Sequence, residues 1–283
     1  MKNILLLLLF IPNIIICQSL EDGYQLNYEV EFNTEIPNIQ KAHLKLNRSQ
    51  TKSAFSFINN GKNIKGFTKI ESAIYMEDDS EEEYDTIKSK EYNLDDVNII
   101  YSDSPAKPRI FIQNKLEDNL IFTYLPKHGD YIIQEKLPKF HWTLTDTHKT
   151  IDNRKVYKAI SFFRGRKFIA WCDLNYSLNI GPWKFNNLPG LGVEIYDETK
   201  RFVWKLTKIS KSKISKHDFE VNINEFEEIS LEKYVDMIYL NPQKYFDNKI
   251  NSKLPRGTIT TTSFNKKRNS IETLFEWEEE CEE

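Results

Sequence analysis

From Gly23 to Phe32 apolar and polar residues alternate: Tyr24, Leu26, Tyr28, Val30 and Phe32 fall on one side of an extended chain, and Gln25, Asn27, Glu29 and Glu31 on the other. Successive side chains of a strand point to opposite faces, so a period of two predicts a strand with one buried face. Shorter runs repeat the theme at His43 to Leu46, Ala54 to Ile58, Arg109 to Gln113, Leu120 to Leu125 and Tyr131 to Leu137, joined by segments rich in Asn, Asp, Gly or Pro. Short runs joined by such turns predict an antiparallel meander. A second meander spans Phe140 to Ser210. In it Val156 to Phe163 and Lys167 to Asp173 flank Arg164-Gly165-Arg166, where glycine supplies the left-handed backbone of a tight hairpin. Thr199-Lys200-Arg201 joins Val193 to Tyr196 with Phe202 to Leu206 in the same way.

The period then changes. Leu231, Tyr234, Val235, Ile238 and Tyr239 recur at helical spacing behind Ser230, a residue suited to an N-cap, with Glu232 as a capping-box acid in an offset register. Pro242 is expected to end or restart that helix. From Asn251 onward charge and Thr/Ser content rise, which predicts a poorly packed, flexible tail. The pattern as a whole predicts a mainly β protein, with α+β as its variant: a curved antiparallel sheet or partly open barrel carrying a C-terminal helical segment. The expected division is a leader over 1–19, a single β-rich domain over 20–250 and a polar tail over 251–283.

The leader is read from Met1-Lys2-Asn3, a short positive start, followed by the apolar run Ile4 to Ile16, broken only by Pro12-Asn13. That is the layout of a secretory signal peptide. The run is shorter than the roughly 20 residues a membrane-spanning helix needs, and polar residues follow at once. Cleavage is expected before Leu20, with a cut after Cys17 as the alternative. Cys17 also sits where a lipoprotein's acylated cysteine would, but Ile16 is bulky where lipoprotein processing wants a small residue. No transmembrane helix is expected in the mature chain.

Loss of the leader removes Lys2 and no acid, leaving 38 basic against 42 acidic residues. This balance gives no footprint for nucleic acid, and a hydrophobic content of 40% with 13% aromatic residues suffices for a core. Cys172 and Cys281 would enter an oxidising compartment together, where a pair can persist as a disulfide. The strand position of Cys172 and the five glutamates around Cys281 favour two unpaired thiols. The acidic run Glu77 to Asp85 lacks the glycine and alternating ligands of a calcium loop and reads as a solvated loop.

The most informative stretch is Ile180 to Asp197. Pro189-Gly190 has the chemistry of a type II turn, with proline presetting the first central dihedral and glycine accepting a positive second one. Leu188 and Leu191 bracket that turn and are placed to plug an apolar end of a sheet. The chain here resembles the GLPGLI family, exported envelope proteins of Gram-negative bacteria named for a hexapeptide that aligns with Asn187 to Gly192. Further landmarks appear in the family's order: Trp142-Thr143-Leu144, Lys155 to Ala159, Arg164-Gly165-Arg166, Ala170-Trp171, Gly181-Pro182 and, near the C-terminus, Asn269-Ser270-Ile271-Glu272. Asn187 stands for the first glycine, which asparagine tolerates because it also visits left-handed conformations, and Gly192 stands for the final isoleucine. Relatives carry cysteines near the positions of Val156 and Asn186. This chain has none there, so no disulfide is carried over. The resemblance implies an exported protein, periplasmic or associated with the outer membrane or cell surface, and supplies no catalytic residues.

Patterns of nucleophilic, zinc-protease, phosphate-binding and dithiol chemistry are missing, and Gly190-Leu191-Gly192 lacks the third glycine and following helix of a dinucleotide site. No cofactor or metal is expected. Arg164 and Arg166 with Trp171 and Trp183 have the makings of an arginine-over-tryptophan recognition surface. If the hairpin and the Pro-Gly turn close over one mouth, Trp171, Asp173 and Trp183 would line a pocket. The expected ligand- or partner-binding set is therefore Trp171, Asp173, Trp183, Leu188, Pro189, Gly190 and Leu191. The leading expectation is a non-catalytic binding or assembly module for a ligand, a lipid or an outer-membrane partner such as a transporter. The alternative is a periplasmic hydrolase or metal-dependent enzyme using His141, Asp146 and His148, since imidazole beside carboxylate can bind metal or act as a general base.

Overall fold

A computed structural model describes residues 20–34, 37–58, 109–124, 130–241, 268 and 270–278. The leader with Cys17, the acidic run from Glu77 to Asp85, His128 and Cys281 lie outside these residues. Among the described residues twelve strands form one sheet: β1 (Leu20–Phe32), β2 (Asn38–Asn47), β3 (Lys52–Phe57), β4 (Ile110–Asn114), β5 (Asn119–Tyr124), β6 (Tyr131–Lys136), β7 (Thr143–Ile151), β8 (Arg154–Phe163), β9 (Arg166–Asp173), β10 (Leu191–Asp197), β11 (Phe202–Ser215) and β12 (Glu227–Ile229). Their order across the sheet is β12-β6-β5-β4-β3-β2-β1-β11-β10-β9-β8-β7. The first meander runs outward from β1 to β6, the second runs inward from the edge strand β7 to β11, and β11 pairs antiparallel with β1 and so joins them. Among the strands described, only β12 pairs parallel, with β6. The protein is thus mainly β, with a large open curved antiparallel sheet and a short C-terminal helix.

The alternation read in β1 is the alternation observed. Leu26, Tyr28 and Val30 are buried and the residues between them are not. Register carries that inner face across the sheet. Val30 lies opposite Trp204 and Leu26 opposite Leu44, while Leu44 faces Phe55, and Phe55 faces Phe111. In β9 the inner residues are Phe168, Ala170 and Cys172, opposite Ser161, Ala159 and Tyr157 of β8. Cys172 is a free, buried thiol, and burial pushes its pKa up to about 12, which leaves it unreactive at neutral pH.

A strongly curved sheet must cover its inner face, and this chain does so with three of its own segments. The first is the connection between β9 and β10, whose residues 180–186 fold back as a small hairpin closed by the bridge between Ile180 and Asn186. At its tip Trp183 takes a left-handed φ of 54°, costly for a bulky side chain. Packing against Trp204 at 6.0 Å, Phe185 at 5.0 Å and Phe168 at 6.0 Å offsets that strain. Gln113, on the inner face of β4, fixes the tip by donating from Nε2 to the carbonyls of Trp183 and Phe185 at 3.3 and 3.4 Å. The second segment is helix α1 (Leu231–Val235), continued by a wider turn over Asp236–Leu240. It lays Tyr234 and Met237 on Phe122, Leu120 and Ile133. Ser230 caps it as expected, accepting from the Lys233 N–H at 3.1 Å, but Glu232 takes no part in that cap.

The third segment is the strap formed by residues 270–278. Phe275 is 1% exposed and Glu272 is buried, so the expectation of a poorly packed tail fails for this part. A charge-rich composition is outweighed here by one acid and one aromatic that have partners on the sheet.

Two turns refine the reading of the glycines. The hairpin between β8 and β9 has positive φ at both Arg164 (43°) and Gly165 (75°), the mirror-image turn that suits strand twist. Pro189-Gly190 is not the expected type II turn, because Gly190 has no positive φ. The left-handed residue of the segment is Asn187, with φ 53°. Gly190 is required for space, since a Cβ there would lie 2.5 Å from the Asp173 carbonyl oxygen. Gly190→Ala is accordingly expected to cost about 1–3 kcal/mol, whereas Asn187→Gly holds or raises stability. Urea unfolding midpoints of the two variants check this, and a Gly190→Ala midpoint no lower than that of Asn187→Gly would remove the spatial requirement at Gly190.

Candidate functional site

The three covering segments meet at one point. Glu135 lies in β6, where Tyr131, Ile133 and Glu135 share the inner face and only the last carries charge. Lys184 follows Trp183 in the hairpin tip, Arg164 opens the β8–β9 turn and Glu272 comes from the strap. The Lys184 ammonium, on a side chain 1% exposed, donates to Glu135 Oε1 at 2.5 Å and to both Glu272 oxygens at 3.0 Å. Arg164 reaches the same two acids. Its Nη2 donates to Glu135 Oε2 at 2.7 Å, its Nη1 to Glu272 Oε1, and its Nε outward to Glu276 at 3.0 Å. Aromatic faces complete the shell: Lys184 Nζ lies 4.4 Å from the centre of Phe122, and Arg164 lies 4.9 Å from Phe275 and 5.0 Å from Phe163.

Two basic side chains and two buried carboxylates balance in formal charge. Burial pushes the Glu135 carboxyl up, but Lys184 and Arg164 together outweigh it and hold it below its usual range. Burial likewise works against the charge on Arg164, and Glu272 and Glu135 more than restore it. Next to the cluster, burial raises the phenols of Tyr234 and Tyr239, and the Glu272 charge adds to both shifts. Glu135 is thus locked as an anion with its oxygens already engaged. A general base must stand within reach of substrate, and both Glu135 oxygens are instead turned to buried cations of the protein itself. The geometry is that of a structural tie between four segments of chain.

The expected site residues are divided by the sheet. Trp183 lies on the inner face against Phe168, and Trp171, three residues beyond Phe168 in a regular strand, points to the outer face. The outer face there pairs Trp171 with Tyr196, through an indole N–H donating to the phenol oxygen at 3.1 Å, and with the Lys149 ammonium 4.3 Å above the ring. Asp173 is buried on that same side, held by Arg154 at 3.3 Å and accepting from the backbone and side-chain N–H groups of Asn175 at 3.0 Å. Trp171 and Trp183 therefore share no mouth. Leu188, Gly190 and Leu191 are buried while Asn187 and Pro189 are exposed, so the hexapeptide presents a single corner to solvent. The arginines do not cover tryptophan. Arg164 stacks on Phe163 and Phe275, and Arg166 lies 5.0 Å over Phe202, paired with Asp197 at 3.0 Å.

His141, Asp146 and His148 are not assembled into a site. His148 Nδ1 lies 3.3 Å from the backbone carbonyl of Asp146, not its carboxylate, and both residues are exposed on the edge strand β7. Among the described residues no group of three His, Cys, Asp or Glu could hold a metal ion. The sequence reading missed Glu135, Lys184 and the joining of Arg164 to Glu272. A signal was available for Glu135, an acid on the apolar parity of a strand, where charge is rare unless paired.

Because Glu135 titrates below its ordinary value of 4.5, its ionised form stabilises the fold above about that pH, and the contribution is lost as pH falls through the lower folded value. Glu135→Gln is expected to cost about 3–5 kcal/mol at neutral pH, the usual penalty for breaking a buried pair, and to flatten the acid limb of the stability curve. Urea unfolding of wild type and variant from pH 7 to 3 measures both. An unchanged acid limb would remove Glu135 from the account.

No protein-family model and no curated protein matches the chain. Several solved structures are similar to it in overall shape. PNGF-II is 15% identical with a TM-score of 0.46, over 77% of this chain and 33% of that one, so the chain spans about a third of that protein's length. An uncharacterised conserved protein from Thermus thermophilus is 6% identical with a TM-score of 0.38, over 74% and 90% of the two chains. A LolA superfamily protein from Nitrosomonas europaea is 9% identical with a TM-score of 0.31, over 71% and 91%. At these scores the likenesses assign neither a family nor an activity. No helix among the described residues is long and apolar enough to cross a membrane.

Proposed function

We propose that the chain is an exported, non-catalytic envelope module of the GLPGLI type that works by binding a protein partner. One observation carries this reading: the inner face, the place where a curved sheet offers room for a ligand, is packed with the chain's own Trp183, Phe185, Leu188 and Tyr234. A carried lipid would have to displace that packing. The landmarks behind the family resemblance support it too. The Trp142 indole donates to the Asn186 carbonyl at 2.9 Å, Gly181 donates to the Phe185 carbonyl at 2.9 Å, and Arg164 and Glu272 close the tie, so these residues build one plug.

The contact we assign to the partner is the exposed corner at Asn187 and Pro189, carried by Leu188, Gly190 and Leu191 and abutting Asp173, with Trp183 anchoring the loop beneath. The outer face around Trp171 lies beyond that corner along β9. The partner class is another envelope protein, such as an outer-membrane transporter. A photo-crosslinking residue at Pro189, compared with one at Leu116, which is 76% exposed on the turn after β4, tests this in the native envelope. The expected outcome is a defined protein product from Pro189 that is absent at Leu116, with no lipid retained in native mass spectra of the purified chain. A stoichiometric bound lipid, or identical products from both positions, would overturn the reading.

A further inference from the structure

The outer face of the sheet carries a second, smaller layer on the side away from the four-charge tie. After β11 the turn Lys216–Phe219 folds back and sets Phe219 against Ala54, Ile112 and Ile214. That turn is fixed twice. Asp218 Oδ2 accepts from the Ser215 N–H at 2.8 Å and closes a capping box, and Asp218 Oδ1 takes the Lys45 ammonium at 2.6 Å. Phe219 therefore stands as a fixed wall.

Between this wall and the β4–β5 turn lies a cavity of about 150 Å³. Sites for drug-sized ligands hold about 300 to 1,000 Å³, so the occupant is no larger than an amino acid. Ile112 and Ile121, directly opposite each other on β4 and β5, form the floor. Two residues along, register sets the polar side: Lys52, Asn114 and Asn119 lie opposite one another on β3, β4 and β5 and share the outer face. About 9.5 Å, two strand spacings, separates the first of these from the third. Glu117 overlooks the same space from the β4–β5 turn.

These groups are chemically incomplete. Among the described residues neither Lys52 nor Glu117 has an ion-pair partner. Nothing donates to Asn119 Oδ1, a buried acceptor of the kind that folded proteins satisfy almost without exception. A cation on one strand, an anion on the turn beyond the next and an apolar floor between them complement a zwitterion with an apolar side chain.

We propose that this cavity binds a free α-amino acid with an aliphatic side chain. Its carboxylate accepts from the Lys52 ammonium, its own ammonium donates to Glu117 and Asn119 Oδ1, and its side chain lies on Ile112, Ile121 and Phe219. The site is on the outer face and does not depend on the partner reading above.

Calorimetric titration of the full-length protein with L-leucine, with leucinamide, which lacks the carboxylate, and with N-acetyl-leucine, which lacks the ammonium, tests this. Leucine is expected to bind saturably, and each blocked analogue about tenfold more weakly, the scale of one charge-assisted hydrogen bond. Two variants assign the charges. Lys52→Met should bring leucine down to the affinity of leucinamide, and Glu117→Gln should bring it down to that of N-acetyl-leucine. Both side chains stand at the rim, so urea unfolding midpoints equal to the wild type's are expected and show that the fold is kept. Absence of saturable leucine binding, or unchanged leucine affinity in the two variants, would overturn the proposal. Blocked analogues that bind as tightly as leucine would overturn it too, because the cavity would then recognise only the aliphatic chain.

Discussion

An ammonium group almost completely withdrawn from water holds this protein together. Removing such a charge from water costs several kcal/mol, and the cost is met only when counter-charges and hydrogen bonds surround it. Lys184 finds them in Glu135 and Glu272, and the second charge those acids need comes from Arg164. None of the four can be buried alone. Strand β6, the β8–β9 hairpin tip, the folded-back loop and the strap must therefore arrive together, which couples segments as far apart in sequence as Glu135 and Glu272.

That coupling explains how the sheet tolerates its own curvature. The loop drives a tryptophan with left-handed backbone into the core, the helix covers Leu120, Phe122 and Ile133, and the strap closes on Lys184 and Arg164. Each segment alone would leave apolar surface exposed or a charge unpaired. Their joint arrival converts an open face into a filled one, and the filled face shifts the functional reading from carriage toward surface recognition.

Much of the architecture was legible because strands write their faces directly into sequence. The alternation in β1, the turn at Arg164-Gly165 and the N-cap at Ser230 all followed from local chemistry, and the register then joined two meanders into one sheet. The site was less legible for a physical reason: its members meet only through tertiary packing. Glu135 could be flagged by parity, but nothing local tells that Lys184 points inward or that Glu272 returns from beyond 26 further residues. The pairing of Trp171 with Trp183 failed for the converse reason, since closeness in sequence says little once a strand assigns one residue to the outer face and a loop carries the other to the inner.

The glycines show the same division between what is local and what is not. Gly165 has the positive φ that its turn demands, and a turn of that kind is recognisable from the tripeptide alone. Its second constraint, the approach of Thr273, is invisible locally. Gly190 has only the second kind of constraint, because a carbonyl of β9 occupies the space where its side chain would be. The left-handed conformation expected of Gly190 belongs to Asn187, at the position where the resembling hexapeptide has its own glycine. The motif thus reads as a packing device: one residue turns the chain, another lets it pass close to a strand, and the two leucines bury themselves as a result. A motif of that kind can recur in order and spacing without any shared chemistry at its surface, which is why the proposed contact is placed at the exposed corner and not in the motif's buried residues.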